Sequence, residues 1–145
     1  MGWPRRIQSG CMHSTDPGLR VLIVEDDPAL REVYAEVLAA EGFRVRVAAD
    51  GQEALDVLSD GSAVPCALLL DLRMPGMNGW QLADRLRADD ALRTVPIVVV
   101  AAHYLVADEA RRIGAARWLQ KPVNLDRLVT TVREICLPAN GGVPA

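Results

Sequence analysis

Three runs of this chain are apolar at every inner position: Val21-Leu22-Ile23-Val24, Cys66-Ala67-Leu68-Leu69-Leu70 and Ile97-Val98-Val99-Val100-Ala101. A strand with one face in water alternates polar and apolar residues. One that does not alternate is enclosed on both faces, as the central strands of a parallel sheet are when helices cover it. Arg44-Val45-Arg46-Val47-Ala48 does alternate, which predicts a less enclosed strand at a sheet edge. Ala115–Leu119 supplies a fifth strand.

Helical patterns fill the intervals. Pro28 suits a first helical position behind Asp27 as N-cap, and Leu30, Val33, Tyr34, Val37 and Leu38 share one face before Gly42 closes the helix. Asp50 and Gly51 open a second helix carrying Ala54, Leu55 and Leu58. Asn78 caps a third, through Arg87, with Leu82, Ala83 and Leu86 inward and Trp80 as packing. A short fourth helix spans Ala107–Ile113 and ends at Gly114, and Asn124 caps a fifth displaying Leu125, Leu128, Val129, Val132 and Ile135. Strand and helix thus alternate five times. Right-handed crossovers then place helices on both faces of a five-stranded parallel sheet, a doubly wound α/β fold. Residues 19–137 form the domain, with 1–18 read as a flexible leader and 138–145 as a flexible tail.

A chain of 145 residues has room for one such domain. Its formal net charge of -3 argues against electrostatic binding to nucleic acid or to an anionic membrane surface. The first ten residues lack the apolar core of a signal peptide, so the expected location is cytoplasmic. Cys11, Cys66 and Cys136 form an odd, scattered set, which supports neither a disulfide framework nor a zinc site. Cys66 reads as a small buried hydrophobe. His13 and His103 lack ligand partners at metal spacing, and His103 reads as a solvated loop residue.

The predicted topology gathers four charged residues. Glu25 and Asp26 end the first strand, Asp71 ends the third and Lys121 follows the fifth, all at the carboxyl edge where doubly wound sheets bind ligands. Taken singly, Asp71 reads equally as a turn residue, and Glu25 and Asp26 as first-turn acids. Taken together, three converging carboxylates repel unless a cation sits among them. Mg²⁺ suits one or two carboxylates, water and a phosphate oxygen, and the backbone carbonyl of Arg73 would complete the shell. Lys121 adds a point charge for a phosphoryl oxygen. Beside these groups the Asp71 carboxylate is a nucleophile suited to forming an aspartyl phosphate.

Val24-Glu25-Asp26-Asp27-Pro28, the stretch from Leu70 to Gly79 and Lys121-Pro122 together resemble the receiver domain of bacterial two-component response regulators. The resemblance runs from about Leu19 to about Cys136. It implies a flavodoxin-like fold with strand order 2-1-3-4-5. It implies phosphoryl transfer to Asp71 from a sensor histidine kinase or phosphotransfer protein, Mg²⁺ held by Glu25, Asp26 and Asp71, and a cis Lys121-Pro122 bond. Such a chain is no conventional enzyme, since it has no separate substrate. A haloacid-dehalogenase-like phosphatase would carry a second Asp two residues past the nucleophile, where this chain has Arg73. Nucleotide-binding glycine loops are absent from the sequence.

Two residues depart from the receiver pattern. Ala101 stands where the family carries Ser or Thr, leaving the backbone N–H of Ala102 as the donor to a phosphoryl group. Trp118 stands in place of the usual Tyr or Phe switch residue, and the small Ala101 leaves room for its ring to turn inward without phosphorylation. A hydrogen bond to a charged group is worth roughly 1.5–3 kcal/mol, so the loss weakens coupling by that order. The alternative reading is a degenerate receiver, an interaction module independent of phosphorylation. With only a short tail after the last helix, output is expected through contact with a downstream protein at the fourth helix, fifth strand and fifth helix, a face that could also form a homodimer.

Overall fold

The computed structural model describes residues 19–61, 64–74, 76–102 and 106–137. The expected leader and tail, together with Cys11, His13, Pro75 and His103, lie outside the described residues. Ten elements alternate along the chain: β1 (Arg20–Val24), α1 (Pro28–Ala40), β2 (Arg44–Ala48), α2 (Gly51–Leu58), β3 (Ala67–Asp71), α3 (Gly79–Arg87), β4 (Ile97–Ala101), α4 (Val106–Ile113), β5 (Arg117–Gln120) and α5 (Leu125–Cys136). The strands are parallel in the order β2-β1-β3-β4-β5.

The period-2 geometry of the strands divides the core in two. Leu22, Val24, Leu68, Leu70, Ile97 and Val99 point to the side covered by α2, α3 and α4. Val21, Ile23, Ala67, Leu69, Val98 and Val100 point the other way, onto Tyr34 and Leu38 of α1 and Leu128 and Val132 of α5. Every residue of β3 and β4 is buried, as their unbroken apolar sequence requires, whereas β2 at the edge leaves Val47 41% exposed.

The expected caps are in place. The side chain of Asp27 accepts from the N–H groups of Ala29 and Leu30, that of Asp50 from Glu53, and that of Asn124 from Arg127. Asn78 accepts from the Gln81 N–H while the Gln81 side chain accepts from Asn78, a capping box. β5 begins two residues later than expected, because the N–H of Ala115 still bonds the carbonyl of Ala110 at 2.9 Å to close α4. Val33 and Leu125, which share the apolar faces of their helices, are substantially exposed.

Two expectations fail. Cys66 is not simply a buried hydrophobe: it is disulfide-bonded to Cys136, 70 residues away, with the Cα atoms 5.2 Å apart. The crossover after β5 returns α5 antiparallel to the strands, so its last residue arrives beside the start of β3. Trp118 does not turn inward. Its register partner is Val99, which places it on the α4 side of an edge strand, and the eight-residue α4 leaves it 43% exposed.

Candidate functional site

Register brings the charged residues together. Val24 pairs with Leu70, so Glu25 and Asp71 emerge side by side at the carboxyl edge. Ala101 pairs with Gln120, and the N–H of Lys121 extends that ladder by donating to the Ala101 carbonyl at 2.8 Å. The Lys121-Pro122 peptide is cis. Lys121 Nζ then lies 3.3 Å from Glu25 Oε1 and 3.5 Å from Asp71 Oδ2. Glu25 and Asp71 are buried, and Asp26 beside them is less enclosed.

Local backbone holds these groups. The N–H of Asp27 donates to Glu25 Oε2 at 3.2 Å, and the N–H of Arg73 donates to Asp71 Oδ1 at 3.2 Å. Arg31, one turn into α1, reaches back with Nη1 to the carbonyls of Glu25 at 2.9 Å and Asp26 at 3.4 Å. This brace was not foreseen, since a donor to backbone oxygens has no complementary residue type to reveal it. Gly79 is likewise structural: a Cβ there would lie 2.7 Å from the Asp71 carbonyl oxygen and 2.7 Å from Leu72 Cα, so only glycine lets α3 start against the acceptor strand.

The electrostatics are those of a crowded acidic pocket. Burial first, then the charge of Glu25, pushes the Asp71 carboxyl from 3.8 up to about 7, while Lys121 pulls it down and hydrogen bonding with Glu25 and Asp26 raises it further. Tyr34, below the site in α1, is held up at about 12 by burial and by the carboxylates of Glu25, Asp71 and Asp27. Oxygens of Glu25, Asp26 and Asp71 all lie within 4.8 Å of one another. Glu25 Oε1 is buried without a hydrogen bond, although Lys121 stands near it. An oxygen-only donor set with one unsatisfied buried carboxylate oxygen fits a hard divalent cation. Ala101 ends β4 and Ala102 follows it, and the side chains of both are methyl groups.

An apolar groove of about 480 Å³ adjoins the site, with Leu30, Val33, Tyr34, Val123, Leu125 and Lys121 among its lining residues. The exposure of Val33 and Leu125 belongs to this groove.

A doubly wound sheet with an acid cluster and a lysine converging on a strand-end Asp defines a phosphoacceptor class of signalling domain. The chain belongs to the response regulator receiver domain family, whose model matches residues 21–133. It is 40% identical over 116 residues to the DNA-binding response regulator MtrA of Mycolicibacterium smegmatis, an alignment covering 79% of this chain and 49% of MtrA. The chain therefore spans about half the length of the curated relatives it matches. Among solved structures, it resembles a response regulator from Chloroflexus aurantiacus at 34% identity and a TM-score of 0.74, over 81% of this chain and 96% of that one. It also resembles the receiver domain of sensor histidine kinase PA1611 from Pseudomonas aeruginosa at 29% identity and a TM-score of 0.74, over 82% of this chain and 98% of that one. That receiver holds a magnesium ion coordinated in its active site cleft.

Proposed function

We propose that this receiver accepts a phosphoryl group on Asp71 from a phosphohistidine of a sensor histidine kinase or phosphotransfer protein, and that a downstream protein reads the result. The convergence of buried Asp71 and Glu25 with Asp26 and Lys121 carries the reading. Asp71 supplies the attacking oxygen, and Lys121 shifts from its carboxylate partners to a phosphoryl oxygen. Glu25, Asp26, Asp71 and the backbone carbonyl of Arg73 would hold Mg²⁺, which supplies charge neutralisation for the transferred group. The apolar groove beside Lys121 supports a protein-borne phosphodonor, because it offers a partner helix a hydrophobic seat next to the acceptor.

The test is incubation with a small phosphodonor and Mg²⁺, followed by mass spectrometry and a check for acid-stable, base-labile phosphate. One phosphoryl group on Asp71, lost in Asp71→Asn or on chelation of the metal, is the expected result. No incorporation under any donor overturns the reading.

Ala101 favours a second reading at the output side: acceptance without full coupling, shading into the degenerate receiver that acts by contact alone. The N–H of Ala102 remains as donor, and Trp118 reports the outcome. A full-amplitude change in Trp118 fluorescence on phosphorylation excludes weak coupling. Output by contact, at the α4-β5-α5 face and with or without homodimerisation, belongs to the same proposal. So does the reading that this domain does not itself bind nucleic acid, which the formal net charge of -3 supports. A cytoplasmic location is also proposed; no helix among the described residues is long and apolar enough to cross a membrane.

A further inference from the structure

The disulfide stands at the opposite end of β3 from Asp71. Cys66 is held by the sheet just before β3, its N–H donating to the Arg20 carbonyl at 2.8 Å. Cys136 is the last residue of α5. Both are half-buried and pack against the α1/α5 side of the core. A five-residue strand at about 3.3 Å per residue separates this bond from the acceptor by roughly 17 Å, too far for direct contact.

Apart from this bond, the last turn of α5 is weakly held. Its side-chain ties to the rest of the domain include two surface ion pairs, Arg133 with Glu41 at 2.7 Å and Arg117 with Glu134 at 2.9 Å, a type of contact that contributes little in water, and within the helix the Leu137 N–H donates to the Arg133 carbonyl at 2.7 Å. Ile135 is half-buried and the C-cap Leu137 is exposed. Leu128, Thr131 and Val132, the buried residues of α5, lie further back along the helix. The covalent bond thus adds to the packing of Ile135 as a restraint on the end of α5, and it joins two cysteines that are only partly buried.

We propose that Cys66 and Cys136 form a reversible thiol–disulfide exchange site whose oxidation state sets the order of the last turn of α5. In the closing direction one thiolate attacks a low-molecular-weight disulfide such as oxidised glutathione, forming a mixed disulfide and releasing one thiol. The second thiolate then attacks the protein sulfur of that mixed disulfide, forming the Cys66–Cys136 bond and releasing the second thiol. Two protein thiols are oxidised, one glutathione disulfide is reduced, and the two thiol protons pass to the two released glutathione molecules. Reduction runs the same steps backwards. The device stands apart from phosphorylation, because the bond anchors the amino end of β3 and the acceptor occupies its carboxyl end.

The experiment equilibrates the full-length chain across ratios of reduced to oxidised glutathione. It counts free thiols by alkylation and mass spectrometry, and follows backbone amide exchange. Cys11→Ser removes the third thiol as an alternative partner. Cys66 and Cys136 are expected to be protected and released together in one two-electron transition. On reduction, exchange in residues 133–137 should rise by at least about tenfold, while amides around Asp71 change by less than about twofold. Cys136→Ser should exchange like the reduced form in every buffer. Free thiols persisting in fully oxidising buffer would overturn the proposal, as would a bond that forms without slowing exchange at the end of α5. Exchange rising equally throughout the domain would overturn it too, by making the bond a global staple.

Discussion

The carboxyl edge of the sheet has two halves of opposite character. Where β1 and β3 end, Glu25, Asp26 and Asp71 crowd together, Lys121 reaches across to them from beyond β5, and Arg31 braces the backbone behind. Where β4 ends and β5 runs alongside, the side chains are those of Ala101 and Ala102, with Trp118 partly exposed on β5. On the proposed function the first half accepts charge and the second, without a side-chain hydroxyl at Ala101, has less with which to sense it. That reading predicts that acceptance and transmission can be perturbed separately.

The largest effect is expected at the acceptor. Asp71→Asn should abolish phosphoryl incorporation, while Lys121→Ala should slow it by about 10²-fold through loss of a phosphoryl contact. Phosphate appearing on another residue of the Asp71→Asn protein would break the comparison, because the acidic half would then not be a single acceptor.

A second test uses proton linkage. The folded-state pKa of Asp71 is raised from 3.8 to about 7, so its contribution to stability is fully present below about pH 4 and is lost as pH rises through 7. In the metal-free protein this amounts to an order of 4 kcal/mol at full ionisation. Denaturant titrations at pH 5 and pH 8 should show wild type losing stability relative to Asp71→Asn. Millimolar Mg²⁺ should restore much of the difference at pH 8 in wild type only. Parallel pH profiles for the two proteins would refute the burial and charge argument.

These charges were legible in the sequence because a doubly wound sheet sends every strand's carboxyl end to one edge, so residues at strand ends must meet. The strands themselves were legible because β1, β3 and β4 are apolar at every inner position. The disulfide was not, since counting cysteines cannot reveal that α5 ends beside the start of β3. Nor was the exposure of Trp118, which depends on how far the short α4 extends over an edge strand. Arg31 stayed hidden because its partners are carbonyls, which every residue carries.

On the transmitting half, Ala101→Ser restores the missing hydroxyl. A hydrogen bond to a phosphoryl group at roughly 1.5–3 kcal/mol would shift a two-state equilibrium by about 10–100-fold toward the inward form. The expected outcome is a larger phosphorylation-dependent change in Trp118 fluorescence, with the rate of acceptance at Asp71 changed by less than about threefold. Because Ala101 is 3% exposed, the serine must fit a tight pocket, and a melting curve checks that it does. An unchanged fluorescence response in a folded, phosphorylated variant would place the weakness elsewhere than at this hydroxyl.

The smallest effect concerns what holds α4 in place. Trp80 Nε1 donates to Glu109 Oε1 at 2.6 Å, tying α3 to α4, and Arg87 reaches from the end of α3 to the Gly114 carbonyl at 3.1 Å. With no hydroxyl at Ala101 to pull on the β4-α4 connection, these ties favour a fixed α4. Trp80→Phe keeps most of the packing and removes the donor, at a cost of about 1–2 kcal/mol for a hydrogen bond to a mostly buried carboxylate. Amide exchange in α4 should rise while that of β1 and β3 stays constant, since the bond joins two helices of the α2-α3-α4 layer and touches neither strand. If Trp80→Phe also enlarges the Trp118 response to phosphorylation, the α3-α4 tie is a second brake on transmission beside Ala101. If α4 loosens and the response stays small, the missing hydroxyl alone limits the signal.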